Sequence, residues 1–312
     1  MKFSVVIPLF NKQLYIKQTL SSVLIQNYKD FEVLVVDDGS TDDSIVIVNA
    51  IDDDRIRVIC QQNAGVSVAR NRAIHEANGE WICFLDADDW QHPEYLSEVM
   101  KLINKFPHVD AVAARFKSIP DSEHWNPEVW PLQPAQYEII EDLPKRWMQE
   151  IPFFTGSIVI RKKLLTTLSP CFPIGESCGE DLDVWFRVAE KTNIVLLNQP
   201  LVAYRTAIES SLSSTSNHSI HAPYLRRMTQ RAPLLPFPIR RSTMDFVAHQ
   251  FITRARVEAS LGFRLVGMKL LIQVVHIAWR IRRWWVTLFM LLIFPKAAIR
   301  RLQQWRECRT NI

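Results

Sequence analysis

Four short β-rich runs, Phe3 to Ile7, Glu32 to Val36, Ile56 to Ile59 and Trp81 to Leu85, are separated by stretches whose apolar residues recur at helical spacing. Ile16, Leu20, Val23 and Leu24 form one such stripe between the first two runs. Ala64 to Asn78 predicts another helix, with Ala69, Ala73 and Ala77 on one face and Gly79 closing it in the usual C-terminal position. This alternation predicts an α/β fold: a Rossmann-like, mostly parallel sheet with helices on both faces, joined by right-handed crossovers. Ligands of such sheets bind outside the carboxyl ends of the strands.

Those ends carry the unusual residues. The first strand runs into Pro8-Leu9-Phe10-Asn11, the second into Asp37-Asp38-Gly39-Ser40 and the fourth into Asp86-Ala87-Asp88-Asp89. Ordinary solvated turns would scatter over both ends of the strands, so their concentration at one edge favours a shared nucleotide-diphosphate site. Three carboxylates at the tip of a buried strand repel one another and resist desolvation, which calls for a compensating cation. Hard oxygen ligands suit Mg2+ or Mn2+, held by one or two carboxylates plus substrate phosphates. Taken alone, the Asp-x-Asp run reads equally well as a solvated acidic turn.

A chain of 312 residues with 48% apolar content can hold one large α/β domain, or one domain with an appendage. Cys60, Cys83, Cys171, Cys178 and Cys308 form no C-x-x-C pair, and their odd number predicts reduced thiols in a cytosolic setting. Met1 leads directly into a strand pattern, without the longer apolar stretch of a secretory signal, so no export is predicted. Charge is unevenly distributed. Residues 226–312 hold 17 Lys and Arg against Asp245, Glu258 and Glu307, a net +14, and the remainder is acidic at −10.

Five blocks in order resemble the signatures of family 2 inverting glycosyltransferases with the GT-A fold. They are Val6-Ile7-Pro8-Leu9-Phe10-Asn11, Val36-Asp37-Asp38-Gly39-Ser40-Thr41-Asp42, Asn63-Ala64-Gly65-Val66-Ser67-Val68-Ala69-Arg70-Asn71, Phe84-Leu85-Asp86-Ala87-Asp88-Asp89 and Gly179-Glu180-Asp181. The resemblance covers residues 1–215 and implies transfer of a sugar from a nucleotide-diphosphate donor, commonly a UDP-sugar, with inversion at the anomeric carbon. By the same resemblance Pro8, Phe10, Asp38, Arg70 and Asp86 line the donor nucleotide. Phe10 lies against the base, where relatives more often carry Tyr; Asp38 accepts from the uracil ring; Arg70 sits near base and phosphates; Asp86 faces the ribose. Asp88 is implied as the metal ligand for Mn2+ or Mg2+, and Asp89 and Glu180 reach sugar or acceptor. Each has a plainer alternative: core packing for Phe10, an Asx turn for Asp38 or Asp37, an exposed helix arginine for Arg70.

Leu182, Trp185, Phe186 and Ala189 form a helical stripe that puts Glu180 and Asp181 in a first turn, where the helix dipole alone stabilises acids and capping is the simple reading. The resemblance makes Asp181 the base that deprotonates the acceptor hydroxyl. The metal would neutralise charge on the departing diphosphate.

The chain departs from the family after Tyr204-Arg205, where many relatives carry a His two residues on and this one has Ala207 before Ser210 and Ser211. His218 and His221 read as exposed loop histidines outside the metal site. Residues 118–136, with Trp125 and Trp130, predict no regular element.

Residues 216–264 read as a connecting helical and proline-containing segment, and 265–312 as basic amphipathic helices. Lys269, Gln273, His276, Arg280, Arg283 and Thr287 predict one polar stripe. The apolar run from Trp284 to Phe294 is 11 residues, short of the ~20 that span a bilayer. Trp279, Trp284, Trp285 and Trp305 with Arg280, Arg282, Arg283, Arg300 and Arg301 have the composition of an interfacial anchor on an anionic membrane surface. Packing on the catalytic domain or in a dimer is the alternative; nucleic acid is not expected, because the apolar residues form a continuous face. The predicted activity is glycosyl transfer at the inner face of the cell membrane, to a lipid-linked or cell-surface glycan. A non-catalytic nucleotide-sugar-binding protein and a nucleotidyltransferase are the rivals, the latter lacking a Gly-rich basic triphosphate loop after the first strand.

Overall fold

The computed structural model describes residues 2–122, 130, 135–176, 179–206, 222–296 and 298–301. Trp125, Cys178, Ala207, Ser210, Ser211, His218, His221, Trp305 and Cys308, whose roles are expected from sequence above, lie outside them. The chain divides into two compact units, residues 1–224 and 225–312.

The first unit begins with the predicted alternation: β1 (Phe3–Leu9), α1 (Ile16–Leu24), β2 (Phe31–Asp37), α2 (Ser44–Asn49), β3 (Ile56–Cys60), α3 (Val66–Glu76) and β4 (Trp81–Phe84). These four strands are parallel neighbours, in the order β3-β2-β1-β4. β1, β2 and β4 are buried along nearly their whole length, as continuous apolar runs in a sheet covered on both faces should be. Pro8 is accommodated in this central strand because β4 pairs β1 only as far as Val6, whose carbonyl accepts from Leu85. The missing N–H of Pro8 therefore falls where the ladder on that side has ended.

The expectation of a mostly parallel sheet fails beyond β4. β5 (Trp90–Gln91), α4 (Tyr95–Lys105), β6 (Ala111–Pro120), β7 (Tyr137–Ile140), α5 (Leu143–Gln149), β8 (Ile158–Arg161), α6 (Lys162–Thr166), α7 (Glu180–Ala189) and β9 (Ile194–Thr206) complete a nine-stranded mixed sheet. β8 lies antiparallel between β4 and β6, β9 runs parallel to β6, and β5 and β7 pair antiparallel with β9. An apolar run such as Ile158-Val159-Ile160 identifies a buried strand but carries no sign of its direction. β6 also extends through residues 118–120, where no element was expected.

Gly79 has a different role from the predicted helix cap. α3 ends at Glu76 and its C-cap is Ala77; a Cβ on Gly79 would lie 2.5 Å from the backbone nitrogen of Ser4. Gly79 lets the chain pass against β1, and its N–H donates to Ser4 Oγ at 2.8 Å.

The second unit is helical: most of α8 (Pro223–Arg231), then α9 (Phe237–Leu261), α10 (Arg264–Gln273), α11 (Val275–Ala278) and α12 (Arg282–Ile293). Ala248, Ile252, Ala255, Leu270, Leu271, Ala278, Trp284 and Leu291 share one core, so residues on both sides of position 264 pack together. The predicted single polar stripe is broken. Interruptions at Val274 and Ile281 reset the helical phase, so the three- and four-residue steps across them no longer mark one face. Lys269, Gln273, His276 and Arg280 are exposed, but Arg283 Nη2 donates to Thr253 Oγ1 at 3.0 Å and Thr287 is fully buried against Arg256. Trp284 turns inward as well. The outer face of α12 is apolar, with Trp285, Val286, Phe289, Leu292 and Ile293 all exposed. Among the described residues no helix is long and apolar enough to cross a membrane.

Candidate functional site

The carboxyl ends of β1, β2 and β4 lie side by side, and their loops are tied together. Asn11 adopts a left-handed backbone (φ 51°), its N–H donates to Ser40 Oγ at 3.1 Å and its Oδ1 accepts from the Thr41 N–H at 2.8 Å. Phe10, one residue earlier, is 45% exposed, which removes the core-packing alternative.

Asp38 is buried, and its Oδ1 accepts from Gln61 Nε2 at 2.7 Å and the Ala64 N–H at 2.9 Å, its Oδ2 from the Gly65 N–H at 2.8 Å. The carboxylate thus fastens the loop before α3 and keeps acceptor capacity on Oδ2. Asp37 closes the Ser40 turn with longer contacts of 3.3 and 3.4 Å.

Arg70 is no exposed helix arginine. It projects from α3 into the interior, where Nη2 donates to Asp86 Oδ1 at 2.7 Å and Nη1 to Glu180 Oε1 at 3.4 Å. One guanidinium therefore joins the end of β4 to the start of α7. Burial opposes the charged guanidinium, but Asp86 and Glu180 outweigh it and raise the affinity of Arg70 for its proton. Burial, then the proximity of Asp181, pushes the Glu180 carboxyl up against the opposing pull of Arg70.

Gly179 caps α7 in the left-handed conformation, so Asp181 is not the cap. Its Oδ1 accepts from the Leu182 N–H at 2.7 Å and its Oδ2 from the Thr155 hydroxyl at 3.1 Å. Asp183, deeper in the same turn, pairs with Arg187 at 2.9 Å. The macrodipole favours all three acids.

Asp88 is paired with Lys12, Nζ to Oδ2, at 2.6 Å. Burial raises the Asp88 carboxyl, Lys12 lowers it and Asp86 raises it further, the net direction being up. Asp89 lies deeper. Its Oδ1 accepts from the Arg205 N–H at 2.8 Å while its Oδ2 is buried without a hydrogen-bond partner among the described residues, and burial followed by repulsion from Asp88 and Asp86 drives it well above the usual carboxylate range.

Among the described residues no group of three or more His, Cys, Asp or Glu side chains is arranged to hold a metal by itself. The donor set nevertheless fits Mg2+ or Mn2+, which take one or two carboxylates and complete their shell with phosphate and water. Hard, partly desolvated oxygens of Asp86 and Asp88, with the orphaned Oδ2 of Asp89 behind them, have that chemistry.

Lys12, Thr155 and Arg205 were not singled out by sequence. Arg205 donates to Asp121 Oδ1 at 2.6 Å, Gln18 Oε1 at 2.8 Å and the Asp88 carbonyl at 3.0 Å, between the rings of Tyr15 and Trp90. The available signal was electrostatic: three clustered carboxylates at the tip of a buried strand demand nearby cations, and Lys12 follows directly on the first block.

The profile of the family described as Glycosyl transferase family 2 matches residues 4–169, more than half of the chain. Glycosyltransferase GlyA of Streptococcus pneumoniae serotype 4 is 36% identical over 124 residues, 39% of this chain and 18% of its own length. The GalNAc(5)-diNAcBac-PP-undecaprenol beta-1,3-glucosyltransferase of Campylobacter jejuni is 37% identical over 113 residues, 35% of this chain and 37% of its own length. The matched stretch spans less than half the length of either relative. The crystal structure of S. aureus TarS 1-349 in complex with UDP-GlcNAc superposes with a TM-score of 0.70 at 22% identity, covering 89% of this chain and 81% of that one.

Proposed function

The chain belongs to glycosyl transferase family 2, and from that premise we propose that it moves a sugar from a nucleotide-diphosphate donor, a UDP-sugar foremost, to a hydroxyl of a lipid-linked or cell-surface glycan, with inversion. Its α/β fold with a mixed sheet is GT-A-like. The observation that carries this reading is the double ion pair of Arg70, which reaches Glu180 across 110 residues of sequence and brings it together with Asp86. Donor-end acids and the segment of the candidate base thus share one site.

In this reading Phe10 offers a ring face to the base, and the remaining acceptor capacity of Asp38 meets the ring N–H. Asp86, held by Arg70, faces the ribose, and Pro8 sets the path of the chain beneath them. Asp88 would hold the Mn2+ or Mg2+, with Asp86 and Asp89 adding negative potential; Asp89 and Glu180 lie toward sugar or acceptor. The bound cation supplies Lewis-acid neutralisation of charge on the diphosphate. Asp181, its carboxylate oriented by Thr155 and the Leu182 N–H, takes the proton of the acceptor hydroxyl. The hydroxyl oxygen bonds to the anomeric carbon, the bond to the diphosphate oxygen breaks, and the electron pair leaves with the nucleoside diphosphate.

The second unit supports a location on the cytoplasmic face of the cell membrane. The exposed apolar stripe of α12 is bordered by exposed Arg280, Arg282, Lys296 and Arg300, and among the described residues of 225–301 no acid is exposed. That surface complements an anionic lipid leaflet.

Incubating the full chain with a panel of sugar nucleotides and Mn2+, and following nucleotide release, tests the proposal. UDP release from one donor above the others is expected. Nucleotide binding without release from any donor would favour a binding protein, and pyrophosphate release from a nucleoside triphosphate would favour a nucleotidyltransferase.

A further inference from the structure

Three basic residues meet the carboxylates at the end of β4: the side chains of Arg70 and Lys12 pair with Asp86 and Asp88, and the backbone N–H of Arg205 donates to Asp89. The three cations are held very differently. Arg70 is buried, bonds two carboxylates and lies 5.3 Å from the Phe172 ring. Arg205 is buried between two aromatic rings and reaches three acceptors. The Lys12 ammonium has a single hydrogen-bond partner among the described residues, Asp88 Oδ2, with the Tyr15 ring 5.8 Å away.

The backbone beneath Lys12 is fixed, however. Its N–H donates to Ser44 Oγ at 2.8 Å, the Gln13 N–H donates to Asp42 Oδ2 at 3.0 Å, and left-handed Asn11 is tied to Ser40 and Thr41. A flexible four-carbon stem on a fixed base can aim a strong cation at Asp88 and still withdraw it, unlike a guanidinium locked in a fork.

We propose that Lys12 is the resident counter-ion of Asp88, and that a divalent cation binds Asp88 tightly only together with the nucleoside diphosphate, whose oxyanions draw the ammonium off the carboxylate. The inference rests on the metal reading above. An ammonium and a divalent ion on one partly desolvated carboxylate repel strongly, so the metal alone meets a site already neutralised. Two diphosphate charges entering with the metal remove that conflict and give the ammonium a new partner. Metal and nucleotide affinities are then coupled, each raising the other by the same factor. Lys12 is thus a positioning residue that keeps metal and donor binding in step.

The test is a Mn2+ titration of the full chain, followed by the loss of the free-ion paramagnetic resonance signal, with and without saturating UDP. Without UDP, Lys12→Met is expected to bind Mn2+ on the order of tenfold more tightly than the unaltered chain, and UDP should tighten Mn2+ far less in the variant. Lys12→Arg keeps the charge and is expected to bind Mn2+ alone as weakly as the unaltered chain. Mn2+ affinity no greater in Lys12→Met, or equally raised in Lys12→Arg, overturns the inference while leaving the metal reading intact if the unaltered chain binds Mn2+ with UDP. If the unaltered chain binds no Mn2+ even with UDP, the metal reading falls and takes this inference with it.

Discussion

The hydroxyl of Thr155 donates to Oδ2 of Asp181 at 3.1 Å, joining the turn before β8 to the first turn of α7. With the Leu182 N–H on Oδ1, it holds the carboxylate in one orientation and leaves lone pairs for an incoming proton. Thr155→Val is expected to lower turnover by about 10- to 100-fold, the worth of one hydrogen bond to a charged group. Donor KM should stay near its original value, and Thr155→Ser should restore most of the rate. Steady-state kinetics on the two variants checks this.

Gly79→Ala puts a methyl group against the Ser4 backbone, a contact that no rotamer change relieves. A loss of about 1–3 kcal/mol is expected, because the strand and the following chain must separate. Urea denaturation at neutral pH measures it.

The same corner sets an acid limit. Burial pushes the Glu32 carboxyl up, but donors from the Ser4 hydroxyl and both Asn78 groups outweigh it, so Glu32 titrates below its ordinary value of 4.5. A folded-state value below the unfolded one means stability that is present above pH 4.5 and lost as pH falls through the folded value. Glu32→Gln should cost about 1–3 kcal/mol at pH 7 and progressively less toward acid. Melting curves between pH 7 and pH 3 should converge for the two chains.

The α12 face gives a lipid-binding prediction. Trp285→Ser combined with Phe289→Ser should reduce sedimentation with phosphatidylglycerol vesicles by at least about tenfold, since two exposed apolar side chains are lost. Arg256→Met, at a buried position, should instead act on stability.

The fold was legible where burial alone decides it. β1, β2 and β4 are predominantly apolar runs and α1 shows its stripe at Ile16, Leu20 and Val23, whereas the antiparallel insertion of β8 depends on contacts with residues far away in sequence. Gly79 looked like a cap because the sequence records a missing side chain and not what occupies its place. Arg283 and Thr287 looked solvated because two helix breaks after Gln273 were invisible to a periodic pattern. In the site, Asp86, Asp88 and Asp89 announced themselves as a cluster, while their partners Lys12, Arg70 and Arg205 lie far apart in sequence, in the β1–α1 loop, on α3 and on β9, and met only on folding.

The most direct test of the central claim is Asp181→Asn, compared with the unaltered chain in sugar transfer and in UDP binding with Mn2+. The account predicts that transfer falls by at least about a thousandfold while UDP binding persists, because the amide keeps the shape of the carboxylate and cannot accept the proton. Transfer at an undiminished rate by a folded, UDP-binding Asp181→Asn chain would contradict it.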